Sequence, residues 1–520
     1  MKSGGPLIIG KNIKNNAYKW PKKTAIIFEG RTYTYETLNR EANQIANWLL
    51  SAGFSRGDKI CIMAENCPEY IEAAVALAKI GVAWVPVNYH FLQKEVTFIA
   101  KDSGAKGFIV DSIRADLIKM VLSQLPGIPQ SQCLVIGEYV PAGMKSFKEV
   151  LENSNADEPP GEVEENDLLY VGYTSGTTGT PKGALISHRN RVLSILVGVF
   201  HFGITKDDAT LIVSPLYHTA TMLSALRPLY LGGTFVLLPK FDPIETFKAI
   251  GKYRINSITM VPTTINRLKE LPEEEFRRFD LSSLKKLCSL ASPLPTTTKE
   301  WILDKLPHVE LSEVYAATEC GLITMLYPED QRRKVRCVGQ PVIGTEIRIL
   351  DENRKDLPPG QVGEIFIKNL TSIKSYLNIP KESSDCFEGD WISLGDMGKL
   401  DEEGYLYIVD RKKDMIKSGG VNIFPAEIED TLMKYPAIQE VAVIGIPDRE
   451  WGESIKAIVV LKPGAQATEH DVRNFCRERI ADFKVPKSVD FVSELPKSPF
   501  GKILKRVIRD EYWKDKAFKV

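Results

Sequence analysis

The sequence lacks the features of a nucleic-acid-binding, secreted or membrane-spanning protein. Lys plus Arg and Asp plus Glu both number 67 in 520 residues, so the formal net charge is zero, and no long basic stretch offers a footprint for a polyanion. No apolar run approaches the ~18 residues that a membrane span needs. The amino-terminal MKSGGPLIIG is too poor in apolar residues for a signal peptide. We therefore expect a cytoplasmic protein without a nucleic-acid partner and without stable membrane insertion.

Closely spaced cysteine pairs and internal repeats are also missing. The eight cysteines are scattered without a Cys-x-x-Cys pair, so the sequence suggests neither a disulfide scaffold nor a zinc site. A chain of 520 residues, 43% of them hydrophobic, exceeds what one core usually supports. At least two domains are therefore expected.

Helical and strand-like patterns alternate in the first part of the chain. Apolar residues between Glu36 and Leu50 have the spacing of an amphipathic helix, and KICIM from Lys59 reads as a buried strand. A second helical stretch near Tyr70 to Ile80 precedes the strand VAWVPV, from Val82, and a third leads to GFIV, from Gly107. Such alternation predicts an α/β fold with a parallel sheet covered on both faces.

The last third of the chain has a different pattern. EIRILD, GEIFIK and YLYIV, bounded by turn residues between about Gly339 and Asp410, predict a mostly antiparallel β unit. Beyond the charged cluster DRKKD (Asp410 to Asp414) the pattern predicts a small α+β domain. We predict a large domain over residues 1–410 and a small one over 411–520, with the cluster as a hinge; an ordinary solvated turn is the alternative.

The stretch YTSGTTGTPKG (Tyr173 to Gly183) follows the apolar run DLLYVG. It fails the Walker pattern, because Gly183 stands after Lys182 where that motif needs serine or threonine. Glycines still allow backbone N–H groups to converge on an anion, and the hydroxyls add donors. A flexible linker is the competing interpretation. The predicted phosphate-binding residues are Thr174, Ser175, Gly176, Thr177, Thr178, Gly179 and Lys182.

The whole stretch resembles the signature loop of the adenylate-forming enzymes, which include acyl-CoA synthetases, peptide-synthetase adenylation domains and luciferases. Further segments resemble that family's motifs in the family's order: YAATE (Tyr315 to Glu319), WISLGD from Trp391, DRKKDMIKSGG from Asp410 and PKSPFGKILK from Pro496. The resemblance runs from about residue 10 to residue 515. It implies a large domain of doubly wound mixed sheets with a β-barrel-like subdomain, and a small mobile α+β domain.

The resemblance also implies ATP, Mg²⁺ and coenzyme A as cofactor and co-substrates. Tyr315, with Ala316 and Ala317, would meet the adenine, Thr318 a phosphate, and Glu319 the Mg²⁺. Alanine at Ala316, where glycine is usual, would narrow the approach of the nucleotide. Asp396 would bind the ribose hydroxyls, although Leu394 replaces the usual threonine. Arg411 would contact the ribose or a phosphate, and Lys413 would be the pivot of the hinge. Lys502 would bridge the carboxylate and the α-phosphate. Ser418, Gly419 and Gly420 would form part of a loop that meets the thiol acceptor.

Trp451 stands where relatives place an aromatic residue near coenzyme A, and a buried structural tryptophan is the alternative. For the acid, His218 would gate the carboxylate site, and a packed core histidine is its alternative. The segment with Leu290, Ala291 and Ser292 resembles a glycine-rich stretch that lines the acyl pocket in the family; leucine in place of glycine should shorten or redirect the tunnel, and the alternative is that another wall opens in compensation.

The expected reaction is therefore ATP-dependent acid:CoA ligation that releases AMP. The stretch SPLYHTATML from Ser214 contains no carboxylate to pair with a substrate ammonium, so amino acids are disfavoured. Fatty acids, short to medium ones favoured, or aromatic acids are the expected substrates. Two alternatives stay open: loading of a carrier protein, and a non-catalytic nucleotide-binding relative. A homodimer is left open as well.

Overall fold

The computed structural model describes residues 7–174, 181–380, 386–497 and 503–514. Contacts divide the chain into a large unit, Met1–Glu346 with Lys368–Phe387, and a small unit, Ile347–Ile367 with Glu388–Val520. The predicted hinge cluster falls inside the small unit, and a domain boundary at residue 410 stays a prediction. No helix among the described residues is long and apolar enough to cross a membrane.

The helices in the described part of the chain are mostly amphipathic and many begin at a residue that caps their first turn. In α2, for example, the Thr34 side chain accepts from the Thr37 N–H, and Leu38, Ile45 and Leu49 are buried on one face. In chain order the helices are α1 (Ile9–Lys19), α2 (Tyr35–Ser51), α3 (Pro68–Ile80), α4 (Gln93–Ser103), α5 (Ala115–Ser123), α6 (Phe147–Asn153), α7 (His188–Phe202), α8 (Thr219–Leu231), α9 (Pro243–Tyr253), α10 (Pro262–Lys269), α11 (Glu273–Phe276), α12 (Thr296–Lys305), α13 (Pro425–Leu432), α14 (Glu469–Arg477) and α15 (Lys505–Trp513).

The strands of the large unit are short and mostly buried, as expected where helices cover both faces of a sheet. In chain order the strands are β1 (Thr24–Phe28), β2 (Arg31–Thr34), β3 (Lys59–Met63), β4 (Ala83–Pro86), β5 (Phe108–Asp111), β6 (Cys133–Ile136), β7 (Lys145–Ser146), β8 (Leu168–Thr174), β9 (Lys182–Ser187), β10 (Ala209–Ile212), β11 (Thr234–Leu237), β12 (Ser257–Met260), β13 (Lys286–Ser289), β14 (Glu310–Ala317), β15 (Gly321–Leu326), β16 (Gln340–Pro341), β17 (Thr345–Leu350), β18 (Gly363–Asn369), β19 (Phe387–Glu388), β20 (Trp391–Leu400), β21 (Leu406–Arg411), β22 (Ile416–Ser418), β23 (Val421–Ile423), β24 (Ile438–Asp448), β25 (Gly452–Leu461) and β26 (Ser488–Phe491).

Two mixed sheets form the large unit. The first has the order β16-β15-β14-β13-β12-β10-β11-β1-β2, with parallel pairing from β14 to β1 and antiparallel strands at its ends. The second has the order β7-β6-β5-β3-β4-β8-β9, and β9 pairs antiparallel with β8. Separate apolar clusters pack each sheet against its helices, one around Phe247 and Ile302 and one around Phe108 and Val96.

The strand order reverses direction within each parallel sheet. In the first sheet β10 leads to β11 on one side, and the chain then returns to β12 on the other. Ligands of open α/β sheets bind at the carboxyl ends of the strands beside such a reversal. The segments that follow β10, β13 and β14 at this edge are those that contain His218, Leu290 and Glu319. The topology thus gathers predicted site residues that are far apart in sequence.

The small unit is built on two further sheets. One has the order β17-β18-β20-β19 with β21 beside β20, and its β18-β20 and β20-β21 pairs are antiparallel. The other has the order β23-β22-β25-β24 with β26 beside β25, and α13 and α14 pack on it through Ile428 and Val472. The predicted α/β class, the antiparallel β unit and the α+β end of the chain are confirmed.

Candidate active site

The predicted phosphate loop connects β8 to β9. Thr174 is the last residue of β8 and pairs with Lys182, the first of β9, so the strand extends two residues beyond the apolar run that predicted it. The loop residues Ser175, Gly176, Thr177, Thr178 and Gly179 lie outside the described residues, and their roles stay predictions. The pairing of Thr174 with Lys182 nevertheless places the two ends of the loop opposite each other.

Glu319 is buried at the turn between β14 and β15 and is 7% exposed. Its Oε1 accepts hydrogen bonds from the Thr174 hydroxyl and from the Tyr376 hydroxyl, each at 3.0 Å. A carboxylate offers about four acceptor positions, so two hydroxyls leave it capacity for a cation. The hydroxyl of Thr174 joins this carboxylate directly to the start of the phosphate loop.

Tyr376 is a site residue that sequence reasoning missed. The segment around it runs beside β9, because the Leu377 N–H donates to the Gly183 carbonyl at 2.7 Å and Tyr376 forms a bridge with Ala184. The Lys182 Nζ lies 5.7 Å from the centroid of the Tyr376 ring, within the range of a cation–π contact. Burial raises the pKa of the Tyr376 hydroxyl far above its usual range, and Glu319 adds to the shift, so the hydroxyl remains a hydrogen-bond donor.

The YAATE residues lie where β14 turns back into β15. A bulge separates Tyr315 from Ala316, and Ala317 pairs with Gly321 across the turn. Ala316 is exposed, and its φ is not among the positive values found in the described residues. Alanine therefore fits this backbone without strain, and its methyl group lies at the surface of the site.

Thr318 packs against β8, which brings the turn close to the start of α8. A Cβ at Gly172 would lie 2.8 Å from the Thr318 Cγ2, which is too close, and 3.4 Å from the Thr219 Oγ1, which is ordinary contact, so glycine here gives room to Thr318. Thr219 is the first residue of α8, directly after His218. The YAATE turn and the predicted carboxylate gate are therefore neighbours within the large unit.

His218 is 9% exposed at the amino end of α8. Its ring lies 3.9 Å, centroid to centroid, from the ring of Tyr217. Burial lowers the pKa of His218 well below its usual value, so the imidazole is neutral at pH 7. Asn66 fixes the preceding loop, since its side chain donates to the Ser214 carbonyl and accepts from the Leu216 N–H.

The predicted acyl-pocket residues follow β13. Leu290 is partly buried and packs against the cluster that includes Cys288, Val314 and Met325. Ala291 and Ser292 are exposed. Ala291 has φ +74°, a left-handed conformation that favours glycine. Sequence reasoning pointed to Leu290 as the replaced glycine, and the backbone shows that Ala291 is the strained position.

In the small unit, Asp396 and Arg411 form an ion pair. They are register partners on β20 and β21, and the Arg411 Nε lies 2.6 Å from the Asp396 Oδ1. The Asp396 side chain is 5% exposed and that of Arg411 38%. Lys413 follows β21, and its carbonyl accepts from Arg509 at 2.8 Å. Burial lowers the pKa of Lys413, and Arg411, Arg506 and Arg509 lower it further.

Ser418, Gly419 and Gly420 form the hairpin between β22 and β23. Both glycines have positive φ, +56° and +80°, the combination that a tight two-residue hairpin requires. The Gly419 N–H donates to the Trp451 carbonyl at 2.9 Å, and a Cβ at Gly419 would lie 2.5 Å from the indole. Trp451 is 45% exposed, so the structure does not support the alternative of a buried tryptophan. Lys502 lies outside the described residues.

Glu319 also fits the chemistry of magnesium. Mg²⁺ is usually held by one or two carboxylates together with substrate phosphates and water. Among residues 7–174, 181–380, 386–497 and 503–514, no group of three or more His, Cys, Asp or Glu side chains could hold a metal ion. A single buried carboxylate beside the phosphate loop therefore matches a cation that arrives with a nucleotide.

Comparison with known families and proteins agrees with this geometry. Residues 13–377 match the family described as AMP-binding enzyme, and residues 427–502 match the AMP-binding enzyme C-terminal domain. A long-chain-fatty-acid–CoA ligase of Mycobacterium tuberculosis is 34% identical to this protein, and the alignment covers 92% of this chain and 93% of the ligase.

Two further proteins extend the comparison. A fatty acid–[acyl-carrier-protein] ligase of Streptomyces coeruleorubidus is 32% identical to this protein, and the alignment covers 96% of this chain and 95% of that ligase. The solved structure of an anthranilate CoA ligase in complex with anthranoyl-AMP has a TM-score of 0.90 at 28% identity, covering 99% of each chain. The chain thus belongs to the AMP-binding enzyme family, the adenylate-forming enzymes that include the acyl-CoA synthetases.

Proposed function

We propose that this protein activates a carboxylic acid with ATP and transfers the acyl group to coenzyme A, releasing AMP and pyrophosphate. The observation that carries the proposal is the position of Glu319. Thr174 at the start of the phosphate loop and Tyr376 beneath Lys182 both donate to its carboxylate. A buried acceptor at the entrance to a phosphate loop suits a substrate that brings both phosphates and a cation.

In the first half-reaction a carboxylate oxygen attacks the α-phosphorus of ATP. A new P–O bond forms, the bond to the bridging oxygen of pyrophosphate breaks, and an acyl adenylate remains. Such chemistry depends on positioning and on stabilisation of negative charge. The loop from Thr174 to Lys182 would hold the β- and γ-phosphates, and Lys502 would bring the two anions together.

Bound magnesium would neutralise charge on the phosphate oxygens, and Glu319 would be its ligand in the protein. Thr174 and Tyr376 would keep the carboxylate oriented, since both hydroxyls point at one oxygen. Asp396, held by Arg411, would accept hydrogen bonds from the ribose hydroxyls. Tyr315 would stack on the adenine ring.

In the second half-reaction the sulfur of the thiol attacks the acyl carbon. A thioester bond forms and AMP leaves as the leaving group. We assign the thiol to the face that carries the Gly419–Gly420 hairpin and the exposed ring of Trp451. A rotation of residues 411–520 about the hinge at Lys413 would exchange this face with Lys502, in keeping with hinge motions of enzymes that run two steps.

The acid is proposed to be a short- to medium-chain fatty acid or an aromatic acid. The segment after β10 has no carboxylate for a substrate ammonium. Leu290 packs with Val314 on the sheet face, where it takes up space that a long chain would need. The similar ligases are named for a long-chain fatty acid and for the aromatic acid anthranilate, so their names support fatty and aromatic acids as classes, and the preference for shorter chains rests on Leu290.

Acyl transfer to a carrier protein is the second candidate. It is favoured by the similarity to a fatty acid–[acyl-carrier-protein] ligase. The first half-reaction would be the same, and only the source of the thiol would differ.

Mass spectrometry of the products tests the proposal. The protein is incubated with ATP, Mg²⁺ and a panel of fatty and aromatic acids, first alone, then with coenzyme A, and then with holo carrier protein. Acyl-AMP with acyl-CoA supports the proposal, and adenylate that reacts only with the carrier protein supports the second candidate. Failure to form adenylate from any acid in the panel would count against both.

Lys502→Ala tests the predicted role of the carboxy-terminal lysine. Adenylate formation should be lost in this variant. Lys497→Ala is the matched control and should retain adenylate formation, because Lys497 is paired with Glu440. Undiminished adenylation by Lys502→Ala would refute the assigned role. The cytoplasmic location and the homodimer stay predictions, and light scattering of the purified protein would decide the second.

A further inference from the structure

A cavity of about 490 Å³ lies within the large unit, on the face of the first sheet beneath α7 and α8. Its floor carries side chains from β12, β13 and β14, and Phe202 and Arg227 contribute to its roof. None of these residues belongs to the motifs that identified the family.

The strand register orders the floor into layers. Ser257, Lys286 and Glu310 are paired at the amino ends of the strands, and Thr259, Cys288 and Ser312 are paired two residues further along. Because side chains two residues apart share a face, the next layer holds Leu290 and Val314. That layer leads to the edge where His218 and Glu319 lie.

Among the described residues, no carboxylate forms an ion pair with the buried guanidinium of Arg227. The residue is 6% exposed, and its Nε has no hydrogen-bond partner within the described ranges. Its pKa is lowered to about 10, first by burial and then by Arg191, whereas the Cys288 thiol acts in the opposite direction. Arg227 is therefore charged at neutral pH, and a buried charge is costly unless an anion pairs with it.

The neighbouring helix makes room for this side chain. A Cβ at Gly198 in α7 would lie 2.4 Å from the Arg227 Nε and 2.8 Å from its Cζ. Glycine inside a helix is unfavourable relative to alanine, so this glycine marks a position where the guanidinium needs the space. The guanidinium carbon also lies 4.8 Å from the centroid of the Phe202 ring, within the range of a cation–π contact.

We propose that this cavity receives the far end of the acid substrate and that Arg227 binds an anionic group there. The preferred substrates are then acids that carry a second carboxylate at the distal end. The inference rests on the proposed function, because the reacting carboxylate is placed near His218. The Ser312 and Thr259 hydroxyls on the floor offer further hydrogen-bond donors to the same anion.

The charges at the cavity mouth favour the same arrangement. Glu310 and Glu329 line the mouth and are exposed, so they would repel a carboxylate that moved outward past Arg227. Lys286, at the same edge, is held by the Gly203 carbonyl at 2.5 Å. Lys286 keeps its positive charge in this hydrogen bond but is the register partner of Glu310, whereas Arg227 is the buried arginine of the lining.

The register also limits the length of the substrate. The layer of Thr259, Cys288 and Ser312 is followed by one more residue in β12 and in β13 and by five in β14, a distance of roughly 3 to 17 Å at ~3.3 Å per residue. This span suits a chain of medium length. Leu290 lies beside the path, so the chain would pass along its partly buried side chain.

Paired substrates of equal length test the proposal. Values of kcat/KM are measured for octanoic and octanedioic acid, and for decanoic and decanedioic acid, with the wild type, Arg227→Met and Arg227→Lys. We expect the wild type to prefer the diacid at least tenfold, Arg227→Met to reduce this preference at least tenfold, and Arg227→Lys to restore part of it. Arg189→Met is the matched control, because Arg189 is an exposed residue of α7 paired with Glu165.

A binding measurement separates this inference from the proposed function. The diacid alone should raise the melting temperature of the wild type but not that of Arg227→Met. If no acid yields adenylate and this shift is nevertheless seen, the proposed function fails and the anion site stands. A wild type that prefers the monoacid, with the same ratio in Arg227→Met and no melting shift, would overturn the inference.

Discussion

The predicted magnesium and carboxylate residues of the large unit, Glu319 and His218, are buried, whereas the residues predicted to meet the thiol in the small unit, Gly419, Gly420 and Trp451, are exposed. Glu319 is 7% exposed and His218 9%, but Trp451 is 45% exposed and Gly419 and Gly420 form a hairpin turn. Groups that meet phosphate and metal gain from being fixed before the substrate arrives. Groups that meet a second substrate must stay accessible. The contrast fits a division of the two half-reactions between two sets of residues.

Two buried carboxylates of the predicted site, Glu319 and Asp396, differ in the partners that hold them. Glu319 accepts from the neutral hydroxyls of Thr174 and Tyr376, which orient it without cancelling its charge. Asp396 is paired with the Arg411 guanidinium, which largely balances its charge. The first arrangement suits a cation, and the second suits the neutral hydroxyls of a ribose.

Glu319→Gln should have the largest effect. The change removes the negative charge and keeps the shape, so adenylate formation should fall by about 10²- to 10³-fold, as for loss of a preorganised electrostatic group. ATP–pyrophosphate exchange measures it. Glu274→Gln, at an exposed position of α11, is the control, and a fall of less than about fivefold in Glu319→Gln would contradict the assignment.

Asp396→Asn should weaken ATP binding more than it slows the chemistry. A hydrogen bond to a charged group contributes about 1.5 to 3 kcal/mol, so KM for ATP should rise by roughly 10- to 100-fold. Steady-state kinetics with varied ATP separate KM from kcat. A change confined to kcat would place Asp396 at the reacting atoms and not at the ribose.

Tyr376→Phe should reduce adenylate formation by about tenfold. The variant loses one of the two hydroxyls that orient Glu319, and the cost is at the lower end for a hydrogen bond to a charged group. The loss should be largest at low Mg²⁺, because a poorly oriented carboxylate binds the cation less well. Exchange rates that are equally reduced at all Mg²⁺ concentrations would argue for a purely structural role.

Gly419→Ala should slow acyl transfer several-fold and affect adenylate formation less. The new Cβ would lie 2.5 Å from the Trp451 ring, so the exposed indole would have to move. Gly404→Ala is a matched control, since Gly404 has φ +79° but no atom within 4 Å of the added Cβ. Equal effects of the two substitutions would show that backbone strain alone is responsible.

Ala291→Gly should raise the free energy of unfolding by about 0.5 to 1 kcal/mol. Glycine removes the strain of alanine in the left-handed region, about 1 to 2 kcal/mol. Its greater freedom in the unfolded chain opposes this gain by about 0.4 to 1 kcal/mol. Denaturant unfolding measures the change. Ala316→Gly should be destabilising in the same assay, because Ala316 has no positive φ.

Much of this architecture could be predicted from the sequence. The strand KICIM is β3, Lys59–Met63, and the helix expected from Glu36 to Leu50 is α2, Tyr35–Ser51. The spacing of apolar residues and the capping residues are signals that lie within each element, so they define the type and position of such elements well. The order of the motifs likewise identified the family, because each motif combines residues with a common chemical task.

Other features depend on contacts that no local pattern encodes. Tyr376 reaches Glu319 from 57 positions away, and its segment SIKSYLN has no period or motif that marks a site. Arg227 lies in an apolar helical stretch, and only the packing shows that its guanidinium is buried against Gly198 and lines a cavity. The left-handed backbone at Ala291 was likewise not predicted, since φ is set by the path of the chain and not by the residue type alone.

The most direct test of the account measures both half-reactions in the same variants. Pyrophosphate exchange reports adenylate formation, and acyl transfer from chemically prepared acyl-AMP to coenzyme A reports thioester formation. We predict that Glu319→Gln impairs adenylate formation far more than thioester formation, and that Gly419→Ala does the reverse. If both variants impaired both half-reactions to the same extent, the proposed division between the two sets of residues would be wrong.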